Sequence, residues 1–558
     1  MSTAILETRQ LSVDYGGSKV VRELDLALHQ GETLALVGES GCGKSTTALA
    51  LMGLLPAGTR VEGEVLLEGQ SLLPLKTREW RQLQGNRLAM IFQEPLSSLN
   101  PVLTIGEQLM EVLYRHRRLR RREGRQEVLK LLEMVHLPGE GELLRHYPHQ
   151  LSGGQRQRVM IAMAVACRPR VLIADEPTTA LDVTTQAGIL DLLDELRRQL
   201  GMGVLLITHD LGVVSERADR VMVMHAGRVL EQRSRRCLFE RPRHPYSQGL
   251  IAASLGWHNP SHYRRQRLAE IRVTQHEGET DHRFELSPTR PVEFNREPVI
   301  RQAPLVAVES LVKHYPQGTG QLRVLDDISL QIQPGETLGL VGESGCGKST
   351  LGKCLLRLMA VDQGRIHFDG EDITRCTEHQ LRPFRRRAQM VFQDPYGALN
   401  PRHRIGDAFD AVQRLLSGEN FRQRQQRARK ILSDVGLSAR SLGRYPHEFS
   451  GGQRQRIVIA RALLGQPDLL VCDEAVSALD VSVQAQILNL LVELKAEYNL
   501  SYLFISHDLA VVRYIADRVL VMARGRIVEQ GDHEQIWTQP RHPYTRKLLA
   551  AIPRAKSG

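Results

Sequence analysis

Apolar residues in this chain occur as short continuous runs that alternate with segments of helical period. Residues 171–174 and 204–208 are such runs, and each is bounded by polar residues or helix breakers. Runs of this length predict strands buried on both faces of a parallel sheet. Residues 109–137 instead show a helical pattern that interrupts the series of strands. The pattern therefore predicts an α/β core that carries a helical insertion.

The chain repeats itself once along its length. The segment around Lys44 returns almost unchanged around Lys348, an offset of 304 residues, and Glu176 returns as Glu474 at an offset of 298. Insertions and deletions in loops produce such a small drift. Each copy carries its own motifs and is far longer than the unit of a solenoid, so the repeat predicts two tandem domains.

The segment between the two copies is polar and contains several prolines. It shows no convincing period and is interpreted as a linker. For the 558 residues of the chain we expect a first domain at 1–256, a linker at 257–303 and a second domain at 304–558.

Composition and cysteine usage indicate the cellular compartment of the chain. Apolar residues make up 42% of the chain and charged residues 25%, as in ordinary globular proteins. No stretch approaches the length of a membrane-spanning helix, and the N-terminus shows no secretory signal. The seven cysteines form no C-x-x-C pair, and their odd number does not fit a disulfide framework. We expect a reduced, cytosolic chain that reaches a membrane only through partner chains.

The net charge of +11 leaves the kind of partner open. The densest basic run lies at residues 115–122. A solvated helix face is the ordinary interpretation of such a run, and contact with anionic lipid headgroups is the alternative.

Each copy contains the phosphate-binding loop G-x-x-x-x-G-K-[ST], with an apolar run before it and a helical pattern after it. The glycines allow backbone N–H groups to converge on phosphate oxygens at a helix N-terminus. Lys44 is expected to reach the outer phosphates, and Ser45 to offer its hydroxyl to Mg²⁺. The candidate nucleotide-binding residues of the two loops are Gly38, Glu39, Ser40, Gly41, Cys42, Gly43, Lys44, Ser45 and Thr46, and then Gly342, Glu343, Ser344, Gly345, Cys346, Gly347, Lys348, Ser349 and Thr350.

A pair of carboxylates ends one apolar run in each copy: Asp175 and Glu176, then Asp473 and Glu474. The carboxyl end of a strand faces the crevice in which α/β sheets bind ligands. The first carboxylate of each pair suits Mg²⁺. The second is free to accept a proton from the attacking water.

A third motif, at 152–155 in the first copy and 450–453 in the second, follows the predicted insertion. Its serine and glutamine form an S-x-x-Q capping box, and its two glycines expose backbone N–H groups that suit an anion. This string resembles the signature of the ABC ATPase family, although the second copy has Phe449 before the serine where the family usually has leucine. The signature residues are Ser152, Gly153, Gly154 and Gln155 in the first copy and Ser450, Gly451, Gly452 and Gln453 in the second.

The resemblance covers both copies nearly end to end. It implies two tandem P-loop NTPase domains, each with an α/β core, an antiparallel β portion and a helical insertion. It also implies that Tyr15 and Tyr315 stack on adenine. Gln93 and Gln393 would sense Mg²⁺, of which they are candidate ligands, and the membrane partner. His209 and His507 would hold the γ-phosphate and the attacking water, and the loops at 180–182 and 478–480 would link the two sites.

In this family the two domains pack head to tail, so that ATP in one phosphate loop is capped by the signature of the other copy. Neither predicted site lacks a catalytic residue, and both are expected to hydrolyse ATP with Mg²⁺. The candidate catalytic residues are Glu176, His209, Glu474 and His507, and the candidate metal ligands are Ser45, Gln93, Asp175, Ser349, Gln393 and Asp473.

The segments at 92–101 and 392–401 and the His-Pro-Tyr tails at 243–246 and 541–544 resemble the oligopeptide, dipeptide and nickel importer branch. The resemblance implies an energy-coupling subunit of an importer for dipeptides, oligopeptides or glutathione-like substrates, at the cytoplasmic face of the inner membrane. Its partners would be two integral-membrane permease subunits and a substrate-binding protein. No cysteine lies between Cys237 and Cys346, so the iron–sulfur cluster of some members is not expected.

Other functions stay open at this stage. Nickel, a metallophore or an opine could be the imported substrate. A ribosome-associated ABC translation factor would suit the positive charge, but the linker lacks the long helical hairpin expected there. A DNA-repair ATPase would need zinc-type cysteine pairs or long heptads. We therefore expect no nucleic acid partner.

Overall fold

The computed structural model describes residues 4–94, 98–138, 141–179, 181–255, 262–274, 283–287, 303–317, 320–416, 418–477 and 479–552. The chain divides into two compact units. The first unit centres on Met1–Ile251, and the second contains Ala252–Thr274 and Glu285–Ile552.

The described residues up to Ala253 form ten strands and nine α-helices. The strands are β1 (Ala4–Asp14), β2 (Lys19–His29), β3 (Thr33–Val37), β4 (Arg60–Leu67), β5 (Gln70–Ser71), β6 (Leu88–Ile91), β7 (Val171–Asp175), β8 (Gly203–Ile207), β9 (Arg220–His225) and β10 (Arg228–Ser234). The helices are α1 (Lys44–Met52), α2 (Thr77–Leu83), α3 (Ile105–Arg117), α4 (Arg121–Met134), α5 (Gly153–Val165), α6 (Val183–Leu200), α7 (Leu211–Arg217), α8 (Arg235–Glu240) and α9 (Pro245–Ala253).

Two sheets organise the first unit. The six-stranded sheet has the order β10-β9-β3-β8-β7-β6 and is parallel except for β10. Every residue of β3, β7 and β8 is buried, as their continuous apolar sequences require. The second sheet is antiparallel, with the order β2-β1-β4-β5. Helices α3 and α4 form the insertion between β6 and β7, where the sequence predicted helix.

The second unit repeats this plan. Its main strands are β13 (Val306–Gln317), β14 (Gly320–Ile332), β15 (Thr337–Val341), β16 (Gln363–Phe368), β17 (Glu371–Asp372), β18 (Ala388–Val391), β19 (Leu469–Asp473), β20 (Ser501–Ile505), β21 (Arg518–Ala523) and β22 (Arg526–Asp532); β11 (Glu270–Thr274) and β12 (Arg283–Ser287) precede them in the chain. The helices are α10 (Lys348–Leu355), α11 (Arg382–Arg387), α12 (Pro395–Ala398), α13 (Ile405–Leu416), α14 (Phe421–Asp434), α15 (Gly451–Leu463), α16 (Val481–Tyr498), α17 (Leu509–Ile515), α18 (His533–Thr538) and α19 (Pro543–Ala550).

The sheets of the second unit have the orders β18-β19-β20-β15-β21-β22 and β14-β13-β16-β17. The predicted fold class, two tandem α/β domains with an antiparallel portion and a helical insertion, is confirmed. The linker boundaries stay a prediction, although residues 262–274 of the predicted linker belong to the second unit. Ala180, Ala478 and residues 95–97, on which other predictions rest, lie outside the described residues.

Candidate nucleotide site

The phosphate-binding loop of the first unit connects β3 to α1 and requires glycine at two positions. Gly38 has φ +156°, and a Cβ atom there would lie 2.1 Å from the carbonyl oxygen of Met224. Gly43 has φ +106°, in the left-handed region, and a Cβ would lie 2.8 Å from the carbonyl oxygen of Val20. The loop therefore fits between β9 and β2 only because neither glycine carries a side chain. The second unit repeats both close approaches.

The loop lysine is held inside the loop. Lys44 is 5% exposed, and its Nζ donates to the carbonyl oxygens of Gly38 at 2.7 Å and Glu39 at 2.9 Å. Lys348 makes the corresponding bonds at the same distances. Each ammonium group is thus fixed by the backbone that would surround a phosphate chain.

The first carboxylate of each pair stands beside the loop hydroxyl. Ser349 Oγ donates to Asp473 Oδ1 at 2.9 Å, and Ser45 hydrogen-bonds Asp175 in the first unit. Burial raises the pKa of both aspartates, although the serine bond opposes this effect. Among the described residues, the buried Oδ1 atom of Asp175 has no hydrogen-bond partner. This unpaired oxygen next to a hydroxyl fits a cation.

The second carboxylate of the first unit lies at the centre of a polar cluster. Glu176 Oε1 lies 3.1 Å from His209 Nδ1. Its Oε2 accepts from Gln93 Nε2 and from Thr179 Oγ1, both at 2.9 Å. Burial alone would raise the pKa of Glu176, but the bond to His209 and its positive charge lower the pKa overall. The carboxylate is therefore ionised at neutral pH.

The second unit builds the same cluster. Gln393 Nε2 donates to Glu474 Oε2 at 2.7 Å, and His507 Nδ1 lies 3.3 Å from that oxygen. Burial would raise the pKa of Glu474, but His507 lowers it overall. Burial would lower the pKa of His507, but Glu474 raises it overall. The two groups thus stabilise each other's charged forms.

Each signature serine begins a helix, as the capping box predicted. Ser152 Oγ accepts from Gln155 N at 3.3 Å, and Gln155 Oε1 accepts from Ser152 N at 3.0 Å. A Cβ on Gly154 would lie 2.6 Å from Thr185 Cγ2 at the start of α6. The signature therefore packs against the start of α6.

The predicted adenine-stacking tyrosines lie in the antiparallel portion of each unit. Tyr15 follows β1 and is 36% exposed. Tyr315 lies in β13, and its hydroxyl donates to Met359 Sδ at 3.0 Å. Asp182, in the loop predicted to link the two sites, caps α6 by accepting from Thr185 N at 3.0 Å.

The structure adds residues that the motifs did not identify. In the second unit the hydroxyl of Tyr544 accepts from the backbone N–H of Glu343 in the phosphate loop at 3.0 Å. Glu529 holds the tail that carries this tyrosine, because its carboxylate accepts from the N–H groups of Arg541 at 2.7 Å and His542 at 3.0 Å. The His-Pro-Tyr sequence was visible as a family marker, but its contact with the loop was not.

Comparison with known proteins agrees with this arrangement. Residues 21–179 and 325–477 match the ABC transporter family, and residues 230–284 and 528–558 match the oligopeptide/dipeptide transporter C-terminal region. The chain belongs to the ABC transporter family and carries two of its ATP-binding cassettes. The predicted branch, marked by the His-Pro-Tyr tails, is confirmed as well.

Similar proteins cover almost the whole chain. The glutathione import ATP-binding protein GsiA of Pectobacterium atrosepticum is 46% identical over 98% of this chain and 89% of its own length. The protein of the same name from Escherichia coli K12 is 47% identical over 96% of this chain and 87% of its own length. Among solved structures, the ATP-binding cassette MJ0796 bound to ADP and Pi is 27% identical over 41% of this chain and 98% of that chain, with a TM-score of 0.38.

Proposed function

We propose that this chain hydrolyses ATP at two sites and is the energy-coupling subunit of an importer for glutathione-like or other short peptides. The observation that carries the enzymatic part is the cluster of glutamate, histidine and glutamine in both units, beside a buried loop lysine. The substrate class follows from the relatives named for glutathione import and from the match to the oligopeptide/dipeptide C-terminal region.

The lysine, glutamate and glutamine of each site have different chemical roles. Lys44 and Lys348 neutralise the outer phosphates of ATP. Glu176, ionised because His209 lowers its pKa, accepts the proton of the attacking water, and Gln93 orients the same carboxylate. A general base placed in this way contributes about 10²- to 10⁴-fold in rate.

The residues around Asp175 and Asp473 fit Mg²⁺. In the described residues no group of three or more histidines, cysteines or acids could hold a metal ion. Mg²⁺ in nucleotide sites is held by one or two protein oxygens together with substrate phosphates and water, which the serine–aspartate pair provides. Bound there, Mg²⁺ would neutralise charge on the phosphates. Ser45, Asp175 and Gln93 are the ligands we propose in the first unit, and Ser349, Asp473 and Gln393 in the second.

The partners we propose are two integral-membrane permease subunits and a substrate-binding protein. In the described part of the chain no helix is long and apolar enough to cross a membrane. We propose that the chain acts at the cytoplasmic face of the inner membrane, where it binds the permease chains. Within the chain, we propose that the two cassettes pair head to tail, so that each signature caps the ATP of the other copy.

Reconstitution with the permease chains tests this function. The assembled complex in liposomes should hydrolyse ATP and import glutathione or a dipeptide, and substrate with its binding protein should stimulate hydrolysis. Nickel, a metallophore and an opine belong in the same substrate panel. ATP-dependent sedimentation with ribosomes, without peptide import, would contradict the proposal.

A further inference from the structure

A segment that precedes the second cassette in the chain lies on the surface of that cassette. Residues 262–274, which we call the strap, belong to the second unit and include β11. Tyr263 is 1% exposed, Ala269 2% and Ile271 4%. Polar flanking sequence therefore surrounds a short stretch whose apolar side chains are removed from water by the cassette.

The first anchor of the strap is a buried polar network. The hydroxyl of Tyr263 donates to Asp517 Oδ1 at 2.8 Å and accepts from Lys495 Nζ at 2.7 Å. Lys495 also donates to Asp517 Oδ2 at 3.0 Å and to Thr337 Oγ1 at 2.7 Å. The backbone N–H of Tyr263 donates to the carbonyl oxygen of Tyr514 at 2.9 Å. The ammonium group of Lys495 therefore donates to three acceptors, one of which is the hydroxyl of the strap tyrosine.

The second anchor recognises the backbone of the strap. Asn489 Oδ1 accepts from Leu268 N at 3.0 Å, and Asn489 Nδ2 donates to Leu268 O at 3.0 Å and to Glu270 Oε1 at 2.7 Å. A primary amide offers a donor and an acceptor together, which an ionised carboxylate cannot do. Asn489 therefore binds both the backbone N–H and the backbone carbonyl of Leu268.

The repeat supplies an internal comparison. In the first cassette Arg217 pairs with Asp191 at 2.8 Å and with Asp194 at 2.9 Å, so that the corresponding face is covered by its own ion pairs. At the offset of 298 residues, the residues Asp191, Asp194, Glu216 and Arg217 correspond to Asn489, Val492, Tyr514 and Ile515. At these four positions, neutral or apolar groups replace the charged groups of the first cassette, whereas Lys495 and Asp517 keep the charges of Arg197 and Asp219.

We propose that the face formed by Asn489, Lys495, Tyr514 and Asp517 is a docking site for the strap, and that the charged face of the first cassette excludes this segment. The occupant is a peptide that places a tyrosine in a turn at the first anchor and the backbone of Leu268 at the second. The strap is a separable element: it can leave this face while the cassette below it stays folded. The assignment is independent of the reaction that the cassettes catalyse.

Hydrogen exchange on the full chain tests the docking site. In the wild type, amide groups of the strap should exchange slowly, because Tyr263 N and Leu268 N donate to Tyr514 and Asn489. Asn489→Asp removes the amide donor and places a carboxylate beside Glu270. Exchange in the strap should then accelerate by about 10- to 100-fold, the effect of leaving one buried polar group unpaired.

The repeat also provides the matched control. Asp191→Asn makes the reverse change at the corresponding position of the first cassette and should leave strap exchange unaltered. Tyr263→Phe keeps the aromatic ring and removes only its hydroxyl, and it should accelerate exchange in the strap but not in β19 and β20. Wild-type strap amides that exchange as fast as an unstructured peptide would overturn the docking site. Equal acceleration in the strap and in β19 and β20 would overturn its separability.

Discussion

At the residue scale, Glu176 and Glu474 show what the sequence could predict. Each follows a buried strand, as the apolar runs predicted, and in the structure a histidine and a glutamine contact each carboxylate. The backbone of the two glutamates, at φ 48° and 50°, could not be read from the sequence, because non-glycine residues rarely adopt the left-handed region. Nor could Thr179, which bonds the same carboxylate as His209.

The contact between Tyr544 and Glu343 was hidden for another reason. The two residues are 201 positions apart, and the bond joins a side chain to a backbone N–H. A backbone partner imposes no residue type, so no pattern in the sequence points to it. Tyr544 is a positioning residue in our interpretation, since it touches the loop and not the nucleotide.

Removing the Tyr544 hydroxyl should weaken nucleotide binding. One neutral hydrogen bond contributes about 0.5–1.5 kcal/mol, so Tyr544→Phe should raise the dissociation constant for ATP at the second site by about 2- to 10-fold. Equilibrium titration with a fluorescent ATP analogue measures this change. Tyr498→Phe is the control, because its hydroxyl bonds Asp434 and Lys430 away from the loop. Equal affinity in wild type and Tyr544→Phe would show that the bond does not order the loop.

The two loop cysteines should react slowly with thiol reagents. Cys42 and Cys346 are 5% and 7% exposed, and their Sγ atoms lie 4.0 and 3.9 Å from the loop lysines. Burial raises the pKa of the Cys346 thiol, so that its thiolate and its labelling rate should increase with pH. A bulky adduct would displace the lysine and abolish hydrolysis.

Maleimide labelling followed by mass spectrometry and an ATPase assay measures both effects, and MgATP should protect. The Cys42→Ala/Cys346→Ala protein, which keeps small residues in the loops, should retain activity and resist the reagent. Full activity after labelling of both cysteines would contradict the loop geometry.

At the scale of elements, period and capping residues predicted the core strands, the insertion and the start of α5. The strap was different. The polar, proline-containing segment around it indicated a linker, and β11 and the burial of Tyr263 could not be predicted. The reason is physical: the strap is stabilised by Asn489, Lys495 and Asp517, which come more than 200 residues later in the sequence.

Docking of the strap should weaken in acid through His262. Its ring stacks on His533 with centroids 4.1 Å apart, and its Nε2 donates to Ala516 O at 2.9 Å. Burial lowers the pKa of His262 from 6.5 to about 4, an effect that the neighbouring Ala516 carbonyl opposes. When the strap is released, the His262 ring takes up a proton at a pH at which the ring of the docked strap stays neutral. Docking is therefore fully favourable above pH 6.5 and weakens as the pH falls towards 4.

At pH 5 this difference in the pKa of His262 should lower the equilibrium constant for docking of the strap by about 30-fold, since each pKa unit corresponds to about tenfold. Strap hydrogen exchange between pH 5 and 7, corrected for intrinsic rates, measures it. His262→Gln keeps a donor for Ala516 and should flatten the profile. The other charged or titratable groups that line the pocket around His262 are Arg264, Arg265, Asp517, Asp532, His533 and Glu534. An unchanged profile in His262→Gln would assign the effect to one of them.

At the scale of the whole molecule, the internal repeat predicted two cassettes with complete sets of site residues. The repeat is faithful where chemistry requires it, at the lysine, carboxylates, glutamine and histidine. It diverges on the face that carries the strap, where Asp191 and Asn489 occupy corresponding positions. Two similar cassettes thus differ in the surfaces they offer to the rest of the chain, and not in their catalytic residues.

Because both catalytic clusters are complete, both sites should hydrolyse ATP, and each should depend on the other. Glu176→Gln and Glu474→Gln keep the shape of the side chain and its contact with glutamine but remove the base, so ATP should still bind. Independent sites would leave about half of the activity in each single variant, since a lost general base reduces its own site by about 10²- to 10⁴-fold. Sites linked through the loops of Asp182 and Asp480 should lose far more than half from either change.

Steady-state ATPase and uptake assays on the assembled transporter, with both single variants and the double variant, distinguish these cases. Glu195→Gln, the same change at a partly exposed glutamate that pairs with His136, is the control and should retain full turnover. Two single variants that each fall close to the level of the double variant would support coupled sites. A near-normal rate in one and none in the other would mean that the cassettes are unequal, even though Glu–His contacts of 3.1 and 3.3 Å make their two sites so similar.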